Sequence, residues 1–175
     1  MQQNYPDRGI SIGEWSFGAE DHMSGGLAVA EALGRFAQYG ITSAFYWFDI
    51  PAATPAFHAF RAFRNFDGKG GRFLDLSIPT QTSQGISLFA SKDASGSHIV
   101  AIALNLDPKN AVSAEIDLSS CGGVASRKVY AYTAGAPGFA EDKANASVTA
   151  GPVTPTTRAT FAPYSITVLD ITTKR

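Results

Sequence analysis

The chain has 175 residues, 45% of them hydrophobic, and its 14 Lys and Arg stand against 15 Asp and Glu for a formal net charge of −1. Near-neutrality without any block of like charges excludes the electrostatic footprint of a nucleic-acid binder or a polybasic membrane patch. The apolar content suffices for one good core or two small ones. The longest apolar stretches, Ile41 to Phe48 and Ile99 to Leu104, fall far short of the ~20 residues of a membrane-spanning helix, so a soluble protein is expected.

The opening residues, Met1-Gln-Gln-Asn-Tyr-Pro6, lack the charged start, apolar centre and small-residue cleavage site of a secretory signal, and localisation is not readable from them. Cys121 is the single cysteine. It allows neither an intrachain disulfide nor a multi-cysteine metal site, and reads as a structural or incidental thiol.

From Arg8 to Trp15 the chain reads as a strand, with Ile10, Ile12 and Glu14 sharing one face because side chains two apart point the same way. A carboxylate thus ends a line of aliphatics expected to be buried. Ser24 to Tyr39 carries Leu27, Ala30, Leu33, Phe36 and Ala37 at spacings of three and four, and Gly40 stops the run, which predicts an amphipathic helix.

Ile41 to Phe48 predicts a second strand, apolar on both faces as in a parallel strand covered by helices, with Trp47 and Asp49 on one face. Thr54-Pro55 supplies a helix cap and a first-turn proline. Phe57, Phe60 and Phe63 then recur every three residues until Asp67-Gly68 ends the helix. Strand, helix, strand, helix is the rhythm of β/α units, and two units cannot close a barrel alone. Lys69-Gly-Gly-Arg72 is glycine-rich but lacks the strand-to-helix setting of a phosphate cradle, and reads as an exit into the next region.

After residue 72 only strand-like runs and turns remain. Strands are expected near Phe73 to Ile78, Ile86 to Ser91, His98 to Leu106, Val112 to Leu118, Lys128 to Thr133 and Tyr164 to Thr172. Ala134 to Arg158 reads as long loops with one short strand near Ser147 to Ala150. The apolar phase of Ser165 to Ile171 shifts after Val168, which suits a bulge or a change of sheet. Asn145-Ala-Ser147 is a formal glycosylation sequon.

The chemistry centres on Ile10-Ser-Ile-Gly-Glu14-Trp-Ser-Phe-Gly18, a glutamate at the C-terminal end of a β/α-type strand, the end from which β/α barrels present reacting groups. On chemistry alone Glu14 fits a nucleophile, a general acid or base, a metal ligand or a buried partner for an arginine. Trp47, ending the next strand, fits a platform for the apolar face of a sugar or a cap on the core. Asp49 fits a hydroxyl-binding group or, more simply, a cap on the following loop. His22, His58 and His98 show no paired ligand spacing, so no catalytic metal or cofactor is expected; a structural calcium would use oxygen ligands that leave little trace in sequence.

Glu14-Trp-Ser-Phe-Gly-Ala-Glu-Asp-His-Met-Ser-Gly-Gly-Leu-Ala28 resembles the segment of family 44 glycoside hydrolases that holds the nucleophilic glutamate, a glycine-bearing loop, a histidine and a helix opening with Ser-Gly. Phe60-Arg-Ala-Phe-Arg-Asn-Phe-Asp-Gly-Lys-Gly-Gly-Arg-Phe73 is similar to the run that leads from that family's barrel into its β-sandwich. Ala162-Pro-Tyr-Ser-Ile-Thr-Val168 looks like the closing strand of many glycosidase β domains.

The resemblance implies α/β plus all-β architecture: residues 1–71 as the last two β/α units of a (β/α)8 TIM-type barrel, and residues 72–175 as an antiparallel β-sandwich. It implies that Glu14 is the nucleophile of a retaining endo-β-1,4-glucanase acting on polysaccharides such as cellulose derivatives or xyloglucan. Trp47 would lie beneath the sugar at the cleavage point. Asp49 and Trp15 complete the substrate-binding candidates, although position 15 is more often tyrosine in that family. A secreted enzyme is implied by the family.

Retaining glycosidases need two carboxyl groups ~5–5.5 Å apart. In family 44 the acid/base glutamate follows an asparagine on an earlier barrel strand, and this sequence contains no Asn-Glu pair. The missing N-terminal part of the barrel is therefore an expected partner, and the chain alone is expected to be inactive. Two other readings are a non-catalytic β-sandwich module that binds carbohydrate or supports a neighbour, and another retaining barrel family with a C-terminal sandwich, such as the arabinofuranosidases.

Overall fold

The computed structural model describes residues 6–82, 85–146 and 154–174. It begins with two β/α units: strand β1 (Ile10–Trp15), helix α1 (Met23–Gln38), strand β2 (Ile41–Tyr46) and helix α2 (Pro55–Arg64). β1 and β2 pair in parallel, with Ile10 opposite Ile41 and Trp15 opposite Tyr46. β2 stops at Tyr46, two residues before the expected end, so Trp47 and Phe48 lie in the bend beyond it.

Helix ends follow local chemistry. The Thr54 side chain accepts from the Phe57 N–H at 3.2 Å with Pro55 next in line, which satisfies one of the donors a helix start leaves open. α2 ends at Arg64 rather than at Asp67 because side-chain acceptors take over the following amides. Asn65 Oδ1 accepts from Gly70, and Asp67 Oδ1 accepts from Lys69 and Gly71, each at 2.8 Å. Those backbone bonds outweigh burial and hold the Asp67 carboxyl below the ordinary carboxylate range.

The rest is mostly β. Strands β3 (Leu76–Ile78), β4 (Ile86–Lys92) and β5 (His98–Asn105) come first, then β6 (Val112–Asp117) and β7 (Gly123–Thr133). β8 (Ala140–Glu141), a short helix α3 (Lys143–Ala146), β9 (Thr156–Phe161) and β10 (Ser165–Lys174) complete the chain order. A six-stranded antiparallel sheet runs β3-β4-β5-β10-β7-β8, and β6 pairs with β9 in a separate two-stranded sheet.

Several boundaries differ from expectation. Phe73 to Asp75 do not join β3, because the Phe73 N–H donates to the Phe63 carbonyl at 2.9 Å and the Leu74 N–H to Ser91 Oγ at 2.7 Å. β7 starts at Gly123, five residues before Lys128. β9 occupies part of the stretch read as loop. The short strand expected near Ser147 to Ala150 lies outside the described residues.

The expected bulge after Val168 is absent. β10 keeps strict alternation there, with Ile166 and Val168 in the core on one face and Leu169 and Ile171 in the core on the other. The apparent phase shift comes from a central strand buried on both sides. Its one register irregularity, against β7, falls between Thr172 and Thr173.

The six-stranded sheet is thus a middle layer. On one face α1 and α2 bury Leu27, Val29, Ala30, Ala59 and Phe63 against Phe89, Val100, Ile102, Leu104, Tyr132, Ile166 and Val168. On the other, β6 and β9 cover Ile99, Ala101, Val129, Leu169 and Ile171. Glycines let α1 approach closely: a Cβ on Gly34 would sit 2.4 Å from the Phe89 ring, and one on Gly26 2.6 Å from the Pro55 Cβ. The core on the helix side runs without interruption from the β/α units into the sheet.

Candidate active site

Trp15 and Tyr46 face the helices. The Trp15 ring makes edge contacts with Tyr46 (4.8 Å between centroids), Phe36 (5.1 Å) and Phe17 (5.9 Å), and a tilted contact with Phe60 (6.1 Å). Its indole N–H is buried and has no hydrogen-bond partner among the described residues. This is the environment of a core aromatic, and it turns Trp15 away from any ligand on the other side of the strand pair.

Strand alternation then puts Glu14 on the opposite face of β1, and Phe45 and Trp47 on the corresponding side of β2. All three are exposed, Trp47 at 53% and Phe45 at 61%. Ile10 is also exposed, at 37%, and Ser11 Oγ bonds Ser43 Oγ at 2.8 Å across a pair whose register is irregular between Ile10 and Ser11 and between Ile12 and Trp15. Among the described residues no further strand pairs with β1 or β2, and Glu14 stands exposed at the end of β1. The two strand ends are tied by the Trp47 N–H, which donates to the Trp15 carbonyl at 3.0 Å and extends the parallel ladder past β2.

Asp49 is exposed in the loop after β2 and makes no hydrogen bond among the described residues. The helix that follows is capped by Thr54. The structure therefore gathers Glu14 and Trp47 at one strand-pair end, leaves Asp49 nearby on a loop, and separates Trp15 from them.

The loop from β1 to α1 contains two residues whose roles sequence did not reveal. Glu20 Oε1 accepts from the Tyr46 hydroxyl at 3.0 Å; burial first, and then Glu20, push that phenol up to about 12. His22 caps α1, its Nδ1 accepting from the Ser24 N–H at 3.2 Å. The bond implies the tautomer with hydrogen on Nε2. Histidine is an uncommon cap, so the motif itself was the only signal for this one.

Among the described residues no other glutamate shares the Glu14 strand end. Glu20 is turned to the helix side, Glu31 bonds Arg35 on α1, Glu115 lies on β6 and Glu141 on β8. Among the described residues no three His, Cys, Asp or Glu side chains gather as a metal-binding group. A cleft of about 500 Å3 between β4–β5 and β6 is lined by Ile86, Leu88, Ile99, Ile116, Phe161 and Ile171. It belongs to the sheet-on-sheet core and does not include Glu14.

No family model matches the chain. It is 32% identical over 135 residues to Endoglucanase A of Paenibacillus lautus, covering 75% of this chain and 19% of that protein. It is 29% identical over 144 residues to a beta-mannanase/endoglucanase A of Caldicellulosiruptor saccharolyticus, covering 79% of this chain and 10% of that protein.

Among solved structures, it superposes on a Paenibacillus polymyxa xyloglucanase of glycoside hydrolase family 44 with a TM-score of 0.86 and 26% identity, over 98% of this chain and 34% of that one. A bifunctional glucanase-xylanase from a metagenome library gives a TM-score of 0.84 at 26% identity, over 97% of this chain and 32% of that one. The chain thus spans about a third of these structures and less than a fifth of the curated relatives it matches.

Proposed function

We propose that this chain, a C-terminal portion of a family 44 glycoside hydrolase, carries on Glu14 the nucleophile of a retaining endo-β-1,4-glucanase. The observation that supports this best is the exposed carboxylate at the end of a parallel β/α strand, on the same side as the exposed Trp47. In this reading residues 1–71 are the last two β/α units of a (β/α)8 barrel, residues 72–175 a β-sandwich, and the acid/base carboxyl comes from an earlier strand. The open Phe45 and Trp47 surface is then the inner wall of a barrel whose other strands lie elsewhere in the protein.

Glu14 would attack the anomeric carbon while the partner carboxyl protonates the departing glycosidic oxygen, giving a glycosyl ester on Glu14. Water activated by the same partner would then hydrolyse the ester with net retention. Trp47 offers its ring face to the apolar C–H face of the sugar, and Asp49 a carboxylate to its hydroxyls. Substrates are β-1,4-linked glucans such as cellulose derivatives or xyloglucan, polymers met outside the cell, which implies a secreted protein.

The test uses the complete protein and this chain side by side on carboxymethylcellulose and xyloglucan. Hydrolysis by the complete protein, loss of about four orders of magnitude in kcat on Glu14→Gln, and no hydrolysis by residues 1–175 are expected. A 2-deoxy-2-fluoro glycoside should label the peptide containing Glu14. Wild-type turnover by Glu14→Gln, or labelling elsewhere, would overturn the assignment.

A further inference from the structure

The loop between β1 and α1 is wound tightly. Gly18 and Ala19 take left-handed φ values of 71° and 51°, unusual for alanine, and a Cβ on Gly25 would meet the Ala19 carbonyl oxygen at 2.0 Å. At the centre of the loop Glu20 makes two long-range bonds. Its carboxylate takes the Tyr46 hydroxyl at 3.0 Å, and its backbone carbonyl takes the Ala56 N–H at 3.1 Å. The Ala56 amide belongs to the first turn of α2, where no partner exists inside the helix. One residue therefore joins the loop after β1, the last residue of β2 and the start of α2.

Tyr46 and Trp47 are consecutive, as are Glu14 and Trp15. The Tyr46 ring is held between Trp15 (4.8 Å) and Phe60 (5.6 Å), and the next residue's N–H grips the Trp15 carbonyl at 3.0 Å. Any shift of Tyr46 is thus passed through a single peptide to Trp47, and through a single hydrogen bond to the backbone carrying Glu14. We infer that Glu20 is a positioning residue: acting through Tyr46 on the helix side of the strand pair, it sets the separation of Trp47 from Glu14 on the other side. The inference rests on the reading of Glu14 as nucleophile and adds a residue outside the substrate face.

Misplacing a reacting group by about 1 Å costs on the order of 100-fold in rate, so the consequence is kinetic. In the complete enzyme, Glu20→Ala and Tyr46→Phe should each lower kcat on carboxymethylcellulose by about 10- to 100-fold with KM altered less than about 3-fold. Glu20→Gln, which keeps an oxygen acceptor at the same reach, should restore most of kcat. The double variant should be no worse than the worse single one, because both remove the same bond. A folded Glu20→Ala or Tyr46→Phe enzyme with wild-type kcat would overturn the inference, as would additive losses or a failure of Glu20→Gln to rescue. If Glu14→Gln is inactive while Glu20→Ala turns over normally, only this inference falls. If Glu14→Gln is active, the reading beneath it falls.

Discussion

The imidazole of His58 lies over the ring of Tyr132, 4.4 Å between centroids and tilted by 33°, and among the described residues neither of its nitrogens has a hydrogen-bond partner. His58 is 2% exposed and joins α2 to the sheet beside Phe139. Burial first, and then the nearby Arg61 charge, hold it below its ordinary value of 6.5. The folded state therefore keeps the ring neutral at a pH where the unfolded chain takes up a proton.

Between those two values the unfolded state binds more protons, so stability rises with pH. This contribution is present in full above about pH 6.5 and is lost as pH falls toward the lowered folded value. Urea unfolding midpoints should drop from about pH 7 to about pH 5. In His58→Leu, which places no titrating group against Tyr132, that part of the slope should vanish. An unchanged slope would locate the acid sensitivity elsewhere.

Gly34 is set by the ring of Phe89. Alanine there gains about 1 kcal/mol of helix propensity over glycine, but its Cβ would stand 2.4 Å from a ring that is 1% exposed. Overpacking a filled core costs about 1–3 kcal/mol, so Gly34→Ala should destabilise the chain and Gly34→Ala/Phe89→Leu should recover part of the loss. Thermal melts of the single and double variants read the coupling, and a stabilised Gly34→Ala would show that α1 can rise from the sheet without cost.

The β/α half was legible because its signals are local. Thr54-Pro55 starts α2, Gly40 follows α1, and apolar spacing marks both helices. The face that Trp15 takes was not legible because both faces of such a strand are aromatic or aliphatic, and only the partners Phe36, Tyr46 and Phe60 reveal that it meets the helices. β9 escaped notice because its inward residues are Thr157, Ala159 and Phe161, a weak apolar pattern. The Glu20–Tyr46 bond spans 26 positions, and nothing in either local sequence announces it.

Arg127 shows how such long-range pairing stabilises the β region. It is 7% exposed, and its guanidinium donates to Thr157 Oγ1 at 2.6 Å, to the Arg158 carbonyl at 2.7 Å and to the Asn145 carbonyl. Asn145 in turn pairs with the backbone of Thr160 through both ends of its amide, which occupies the sequon's nitrogen. Removing a charged donor that serves buried acceptors costs about 1.5–3 kcal/mol per bond in the strongest cases. Arg127→Ala should therefore lower stability by roughly 3 kcal/mol, with faster amide exchange in β9. Arg127→Lys should not restore it, since an ammonium lacks the planar fork that reaches three acceptors. Full recovery by lysine would reduce the role of Arg127 to its charge.

The open side of the β1–β2 pair carries a consequence for the chain by itself. Ile10, Phe45, Trp47 and Phe48 are 37%, 61%, 53% and 55% exposed. Among the described residues the pair is a two-stranded sheet, so each strand presents an edge not paired with another strand. Apolar surface beside free edges promotes association. Residues 1–175 should therefore self-associate in sedimentation velocity at micromolar concentration, and Phe45→Lys should weaken this because it puts a charge in the middle of the contact. In the barrel proposed above Phe45 faces the interior, so the same substitution should also harm the complete protein. A monodisperse monomer that Phe45→Lys leaves unchanged would mean that this face is stable in water, and would remove the case for a covering set of strands.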